Sequence, residues 1–255
     1  MPTLRLMHYN VLYDTIHLEL LEEIIASENP DILTLNEVQW PEMKLLSKRY
    51  RTAFAQTTKE GREYGNGIAW KPHLPLRSLR TIVQEFKTPL LEWQTDQFTL
   101  YVTHLAAKEG EQQRLREIQK ICSLAPAAKE YLICGDLNAL SPHDKYNTEE
   151  LEAKMKQHGH AKFGIPVQFL AIPYLEQQQL VDLLRRGEAV TSTVPTTAGT
   201  PEHERAQHFM PLRLDYIFAT PHLAQTARRA DVLKNELTEK CSDHYPLVVE
   251  LELDR

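Results

Sequence analysis

With 255 residues, 42% of them hydrophobic, the chain can bury one substantial core and suits one α/β domain over residues 1–255 better than two small ones. A formal charge of −6 excludes a global basic footprint for polyanions, so any phosphate-bearing partner must be held by a local site or a metal. Cys122, Cys134 and Cys241 lack paired spacing, which excludes a disulfide framework or zinc ribbon, and no apolar run has signal-peptide or membrane-spanning length; a soluble, cytoplasmic protein without a membrane span is expected.

"TLRLMHYN" (3–10) alternates apolar and polar residues as a strand does. Asp14 is placed to cap a following helix whose one face carries Ile16, Leu20, Leu21, Ile24 and Ile25, with Pro30 just beyond its end. "DILTLNEV" (31–38) is an apolar strand closing on Asn36 and Glu37, and "WPEMKLLSKRY" (40–50) has helical spacing. The middle of the chain holds short β-like runs, "TAFAQT", "GIAW" after the turn "YGNG", "LRSLRTIV", "LLEWQ" and "FTLYVTH". A long polar-faced helix over 111–125 leads to the buried strand "EYLICGD" (130–136). "NTEELEAKMKQHG" and "LAIPYLEQQQLVDLLRR" then read as helices, and "TSTVPTTAGTPEHERAQHFMP" as a long Thr/Pro-rich loop of the kind that is functional or mobile. "RLDYIFA" (213–219), "ARRADVL" (227–233) and "PLVVELEL" (246–253) finish the chain as strands, an α/β pattern of helices around largely antiparallel β structure.

Chemistry-bearing residues fall at the ends of these strands. Asn10 ends the first, Glu37 the second and His104 "FTLYVTH", while Asp136 and Asn138 follow "YLICG", Asp215 sits inside "RLDYIF" near its start, and Asp243 with His244 precedes the last. Singly, such residues are turn formers, solvated acids or packed histidines. If the strand ends converge, carboxylates, amides and imidazoles share one rim. That set suits metal-assisted phosphoester hydrolysis, because hard divalent cations take carboxylate oxygens, substrate phosphate and water. Glu37 is then the obvious ligand and Asp243 an assistant. Asp136 suits a proton acceptor for water oriented by Asn138, His104 and His244 suit charge stabilisation, and Asp215 suits a carboxylate backing His244. Along an extended backbone Asp136 and Asn138 would face one side while Leu137 turns into apolar packing, and Gly135 would permit a close approach.

In order, "MHYNVLYD", "LTLNEVQ", "YGNGIAW", "LYVTHL", "LICGDLNAL", "RLDYIF" and "SDHYPLVVEL" resemble the endonuclease/exonuclease/phosphatase family across nearly the whole chain. The resemblance implies a four-layer α/β/β/α sandwich with two mainly antiparallel sheets and one cleft that binds Mg²⁺, with Mn²⁺ as the alternative. It implies Asn10 and Glu37 as metal-site residues with Asp243 as a further acid, His104 as a phosphate or transition-state stabiliser, and Asp136 and Asn138 as nucleophile activators. His244, paired with Asp215, stands at the family's catalytic histidine, and the base role is shared between Asp136 and His244. Abasic-site nucleases carry an acid where Leu12 stands and a tyrosine where His104 stands, so the chain leans away from that branch.

These features predict a divalent-metal-dependent phosphodiesterase or nuclease; the competing readings are a phosphomonoesterase on a sugar, lipid or inositol phosphate and a non-catalytic phosphate-binding module. The partner is a phosphate ester, nucleic acid included, though not one gripped by a basic duplex-binding face, and a monomer is expected. Arg114 and Arg213 are the candidate substrate-binding cations, alongside Lys59, Arg62, Lys108, Arg205 and His208; Trp40, Tyr64 and Phe209 are candidates for stacking a base.

Overall fold

The computed structural model describes residues 3–13, 17–59, 62–125, 129–185, 191–196 and 210–253. Two six-stranded sheets carry the chain. The first contains β1 (Thr3–Asn10), β2 (Ile32–Val38), β3 (Arg51–Lys59), β4 (Arg62–Trp70), β11 (Ala227–Val232) and β12 (Leu247–Glu252), ordered β11-β12-β1-β2-β4-β3. The second contains β5 (Ser78–Ile82), β6 (Leu90–Gln94), β7 (Phe98–His104), β8 (Glu130–Asp136), β9 (Val181–Asp182) and β10 (Asp215–Ala219), ordered β5-β6-β7-β8-β10-β9. Pairing is antiparallel except for β1 with β2 and β7 with β8.

Period-two alternation sends each central strand's side chains to two different interiors. Leu4 and Leu6 of β1 and Leu132 and Cys134 of β8 meet between the sheets, with Trp93, Leu100, Ile217 and Val249. Met7 and Tyr9 face the other way, onto α1 (Leu18–Glu28), α2 (Trp40–Leu46) and a short helix near Cys241. Ile133 of β8 packs instead with Ile118 and Ile121 of α3 (Glu111–Leu124) and Ile172 and Leu175 of α5 (Ala171–Gln177). The three interfaces make the expected four-layer sandwich. Each fully buried Leu or Ile contributes roughly 1.5–3 kcal/mol, so packing rather than helix propensity holds the layers.

α4 (Thr148–Gln157), α6 (Pro221–Thr226) and α7 (Thr238–Cys241) complete the helices used below. The sequence expectations for α6 and α7 were silent, since four to six residues are too few to show helical periodicity. α1 buries Leu21, Ile24 and Ile25 as the spacing predicts, but it begins at Leu18 with no side-chain cap from His17; Asp14 lies outside the described residues. "YGNG" is not a turn. It runs through β4, whose backbone is paired with β2 on one side and β3 on the other, and the Asn66 amide bonds to Asn36 and to the Pro89 carbonyl. The helix expected over "LAIPYLEQQQLVDLLRR" ends at Gln177; Gln179 turns to φ 63° and the chain becomes β9 against β10.

The topology explains why the strand ends converge. Parallel neighbours share an orientation, so β1 and β2 end side by side, with Asn10 opposite Asn36, and β7 and β8 end with His104 opposite Asp136. Antiparallel β10 and β12 begin where their neighbours end, so Asp215 stands opposite Asp136, and the residues just before Leu247 stand beyond His8.

Candidate active site

Asp136 is the centre of the rim. Its Oδ2 accepts from Asn10 Nδ2 at 3.2 Å across the two sheets, and lies 3.6 Å from His104 Nε2 and 3.8 Å from His244 Nε2. Its backbone N–H donates to Asn36 Oδ1 at 2.7 Å, a second cross-sheet bond. Asn36 is itself held by Asn66, so a polar chain from the Pro89 carbonyl through Asn66 and Asn36 fixes the end of β8. Gly135 permits this approach: a Cβ there would stand 1.8 Å from the Thr103 carbonyl oxygen.

Glu37 sits at φ 57°, a costly conformation for a side chain other than Gly or Asn. The bend points its carboxylate back over β1, where it accepts from Asn10 Nδ2 at 3.3 Å and from the Tyr13 N–H at 3.3 Å. His104 Nε2 stands 3.8 Å from Glu37 Oε1. Leu12, at φ 58°, supplies no acid; its N–H donates to Asn10 Oδ1 and so orients that amide.

Asn138 reaches the rim by a route other than the expected one. β8 stops at Asp136, and Asn138 adopts φ 48°, so the pair is not carried on extended backbone. An Asx turn draws it in: the Asn138 N–H donates to Asp136 Oδ1 at 2.8 Å, and its Nδ2 donates to the Leu105 carbonyl at 3.2 Å. Leu137 is buried with Tyr101, Leu105 and Ile172, as expected of the spacer.

His244 Nδ1 is 2.8 Å from Asp215 Oδ2. Burial would push the imidazole's pKa down, but Asp215 beside it, then Asp243 and Asp136, outweigh burial and raise it to about 10. Burial likewise opposes ionisation of Asp215, yet His244 and His8 hold its carboxyl well below the usual range. His8 is buried on the far side, with Nε2 3.5 Å from Asp215 Oδ1 and Nδ1 3.0 Å from Thr34 Oγ1. Thr193 Oγ1 accepts from the N–H groups of Leu214 and Asp215, and Ser242 Oγ donates to the Asn10 carbonyl at 2.7 Å and receives the His244 N–H at 3.3 Å. Asp243 lies beside His244, its Oδ1 4.0 Å from Nε2.

A model of the Endonuclease/Exonuclease/phosphatase family matches residues 7–244. The chain belongs to that family. Its members are divalent-metal-dependent phosphoester hydrolases, and this chain is a phosphohydrolase of the same kind. No curated protein matches the sequence. Among solved structures, an AP endonuclease from Archaeoglobus fulgidus has 21% identity and TM-score 0.70, with 98% of this chain and 100% of that one covered. The 3'-5' exonuclease NExo from Neisseria meningitidis has 16% identity and TM-score 0.72, with the same coverage. D. rerio TDP2 complexed with a single strand DNA product has 18% identity and TM-score 0.67, covering 99% of this chain and 100% of that one.

The donor set fits a hard cation. Ligand atoms of Glu37, His104 and Asp136 lie within 4.8 Å of one another, and two of the three are carboxylates. Asp136, Asp215 and His244 also lie within that span, but Asp215 is wholly buried with one oxygen on His244 and the other facing His8, so it backs an imidazole rather than offering a lone pair to an ion.

The hydrolase does not place Arg114 or Arg213 on the substrate. Arg213 is buried, its guanidinium forked onto Asp144 at 2.9 and 3.0 Å, bonded to Asp182 and stacked over Tyr216. Arg114 is buried too, pairing with Glu111 at 3.0 Å and donating to the carbonyls of Ala106, Ala107 and Lys162. Both are buried internal fasteners, their guanidiniums turned onto protein oxygens rather than toward the cleft. Arg213→Met is expected to cost roughly 3–5 kcal/mol in urea unfolding, because Asp144 and Asp182 remain buried without their cation; wild-type stability with a raised KM would restore the substrate role. The side chains of Lys59 and Arg62 and the candidates Arg205, His208 and Phe209 lie outside the described residues. Tyr64 stacks on Tyr13 at 4.7 Å and Trp40 meets Phe54 edge-on at 5.5 Å.

Proposed function

We propose that this hydrolase is a Mg²⁺-dependent phosphodiesterase or nuclease, with Mn²⁺ as the alternative ion, acting as a monomer whose residues 1–255 form one domain. The observation that carries the proposal is the surroundings of Asp136 Oδ2, an oxygen shared by Asn10, His104 and His244 from both sheets. A binding pocket alone has no use for a proton acceptor flanked by an imidazole with its own buried carboxylate.

Glu37 and Asn10 are the proposed ion ligands, with Asp243 as the further acid. The ion, when bound, supplies Lewis-acid polarisation of the phosphoryl group. His104 donates toward a phosphoryl oxygen as charge develops there. Asn138 orients the attacking water and Asp136 takes its proton. His244, with Asp215 2.8 Å from its Nδ1 favouring the charged imidazole, is assigned to balance negative charge on the phosphoryl oxygens, leaving the proton to Asp136. This divides between Asp136 and His244 a role that the sequence left joint.

Support for a diester comes from the solved neighbours described as an exonuclease and as a complex with single-stranded DNA product. The charge of −6 favours a nucleic-acid end or short single strand over a long duplex. With Mg²⁺ or Mn²⁺ the purified chain is expected to hydrolyse bis-p-nitrophenyl phosphate and single-stranded DNA, and to stop in EDTA. Faster turnover of p-nitrophenyl phosphate, a monoester, would replace this assignment.

Among the described residues no helix is long and apolar enough to cross a membrane. We propose a cytoplasmic location as well, because Cys122, Cys134 and Cys241 are free thiols, which suits a reducing compartment.

A further inference from the structure

The segment joining α4 to α5 carries no residue of the catalytic set, yet it is fastened beside the cleft. Phe163 is buried against Leu140, Val194, Leu212 and Leu214, and Leu140 and Leu214 flank Asn138 and Asp215 along the chain. Arg114 donates to the Lys162 carbonyl at 2.9 Å, and its other N–H groups hold the carbonyls of Ala106 and Ala107, just past His104. The Gly164 N–H closes a turn onto the Ala161 carbonyl at 2.9 Å, with Gly164 at φ 84°, where a Cβ would be strained. Lys162 is therefore held by its own backbone on one side and its neighbour's ring on the other.

The Lys162 side chain is half-buried, with Nζ 5.4 Å from the centre of the Phe163 ring. Among the described residues its ammonium makes no ion pair and no hydrogen bond to an oxygen. Its charge instead falls within the field of Asp136, Asp243 and Glu37, carboxylates delivered by three different strand ends. Burial, with the Arg114 guanidinium adding to it, pushes its pKa down to about 8 against the pull of those acids. An ammonium that is fixed near three carboxylates and paired with none leaves its donors for a ligand bound between them.

We propose that Lys162 is a substrate-binding residue of this site, its ammonium donating to a non-bridging phosphoryl oxygen. The proposal rests on the phosphoester-hydrolase reading and adds a cation outside the set that the strand ends supply. Lysine suits the task because its three donors rotate freely about a compact charge and make no planar demand on the phosphate.

Lys162→Gln and Lys162→Arg test this in the full chain with Mg²⁺ present, using inorganic phosphate in calorimetry and a phosphodiester in kinetics. Lys162→Gln is expected to weaken phosphate binding and raise KM by about 10-fold or more, with a smaller fall in kcat, because a charge-assisted hydrogen bond is lost. Lys162→Arg should recover most of the binding, and neither variant should lower the melting temperature by more than a few degrees, since the ammonium's internal contact is the Phe163 ring at 5.4 Å rather than a buried acid. Phosphate binding unchanged in Lys162→Gln overturns the proposal, as does a wild type that does not bind phosphate. A wild type that binds phosphate through Lys162 yet hydrolyses no ester would leave the proposal standing and remove the hydrolytic reading.

Discussion

Glu37→Gln is expected to lower metal-dependent kcat/KM by roughly 10³-fold, the effect of losing several kcal/mol of metal-mediated charge stabilisation. The substitution keeps the side chain's volume and can still accept from Asn10 and the Tyr13 N–H, the bonds that fix the Glu37 carboxylate at 3.3 Å. What it removes is charge. Glu37 is the acid of its cluster with some exposure to the cleft, at 16% for the side chain, whereas Asp136 is nearly covered. The neutral amide should therefore weaken Mn²⁺ binding in calorimetry by a comparable factor while thermal unfolding stays close to wild type. Unchanged turnover and unchanged ion binding would remove Glu37 from the metal site. Loss of turnover with intact ion binding would move the ion toward Asp243 and leave Glu37 as an orienting group for Asn10.

Most of the site was legible because it is built from strand ends. The alternation of β1 and β8 sorts Leu4, Leu6, Leu132 and Cys134 to one interior and Met7, Tyr9 and Ile133 to others, so the polar residues that end each run stand out against apolar ones. What was not legible depends on contacts far apart in sequence. Arg213 reads as a phosphate contact until the chain returns Asp144, 69 residues away, to fork its guanidinium. A charged side chain in a loop-like stretch carries no mark of whether water or a distant carboxylate will meet it. Lys162 is the reverse case, ordinary in sequence but fastened beside the cleft by Arg114 and Phe163. The same limit hid His8, Asn36, Thr193 and Ser242, small or polar residues whose roles exist only once the sheets pack. Asn138 departs from the strand alternation that singles it out in the sequence: it sits at φ 48°, drawn in by an Asx turn onto Asp136.

Asp215→Asn and His244→Ala should each reduce turnover by roughly 10²–10³-fold, the range for losing one preorganised charge-stabilising donor, and the double variant should be no worse than the more damaged single one. Asp215 touches neither water nor the cleft; it is fully buried and acts through the 2.8 Å contact to His244 Nδ1. An asparagine there keeps the shape but removes the charge that opposes the burial cost of a protonated His244, and its amide can present an N–H to Nδ1, favouring the wrong tautomer. Once His244 is absent, Asp215 has nothing left to orient, so its replacement should cost little further turnover. Effects that multiply in the double variant would mean that Asp215 acts through a second route. The geometry names that route: His8 Nε2, 3.5 Å from the other Asp215 oxygen and otherwise without a hydrogen-bond partner among the described residues. Adding His8→Gln to the pair would then separate the two, since a network running only through His244 predicts no further loss of turnover from that third change.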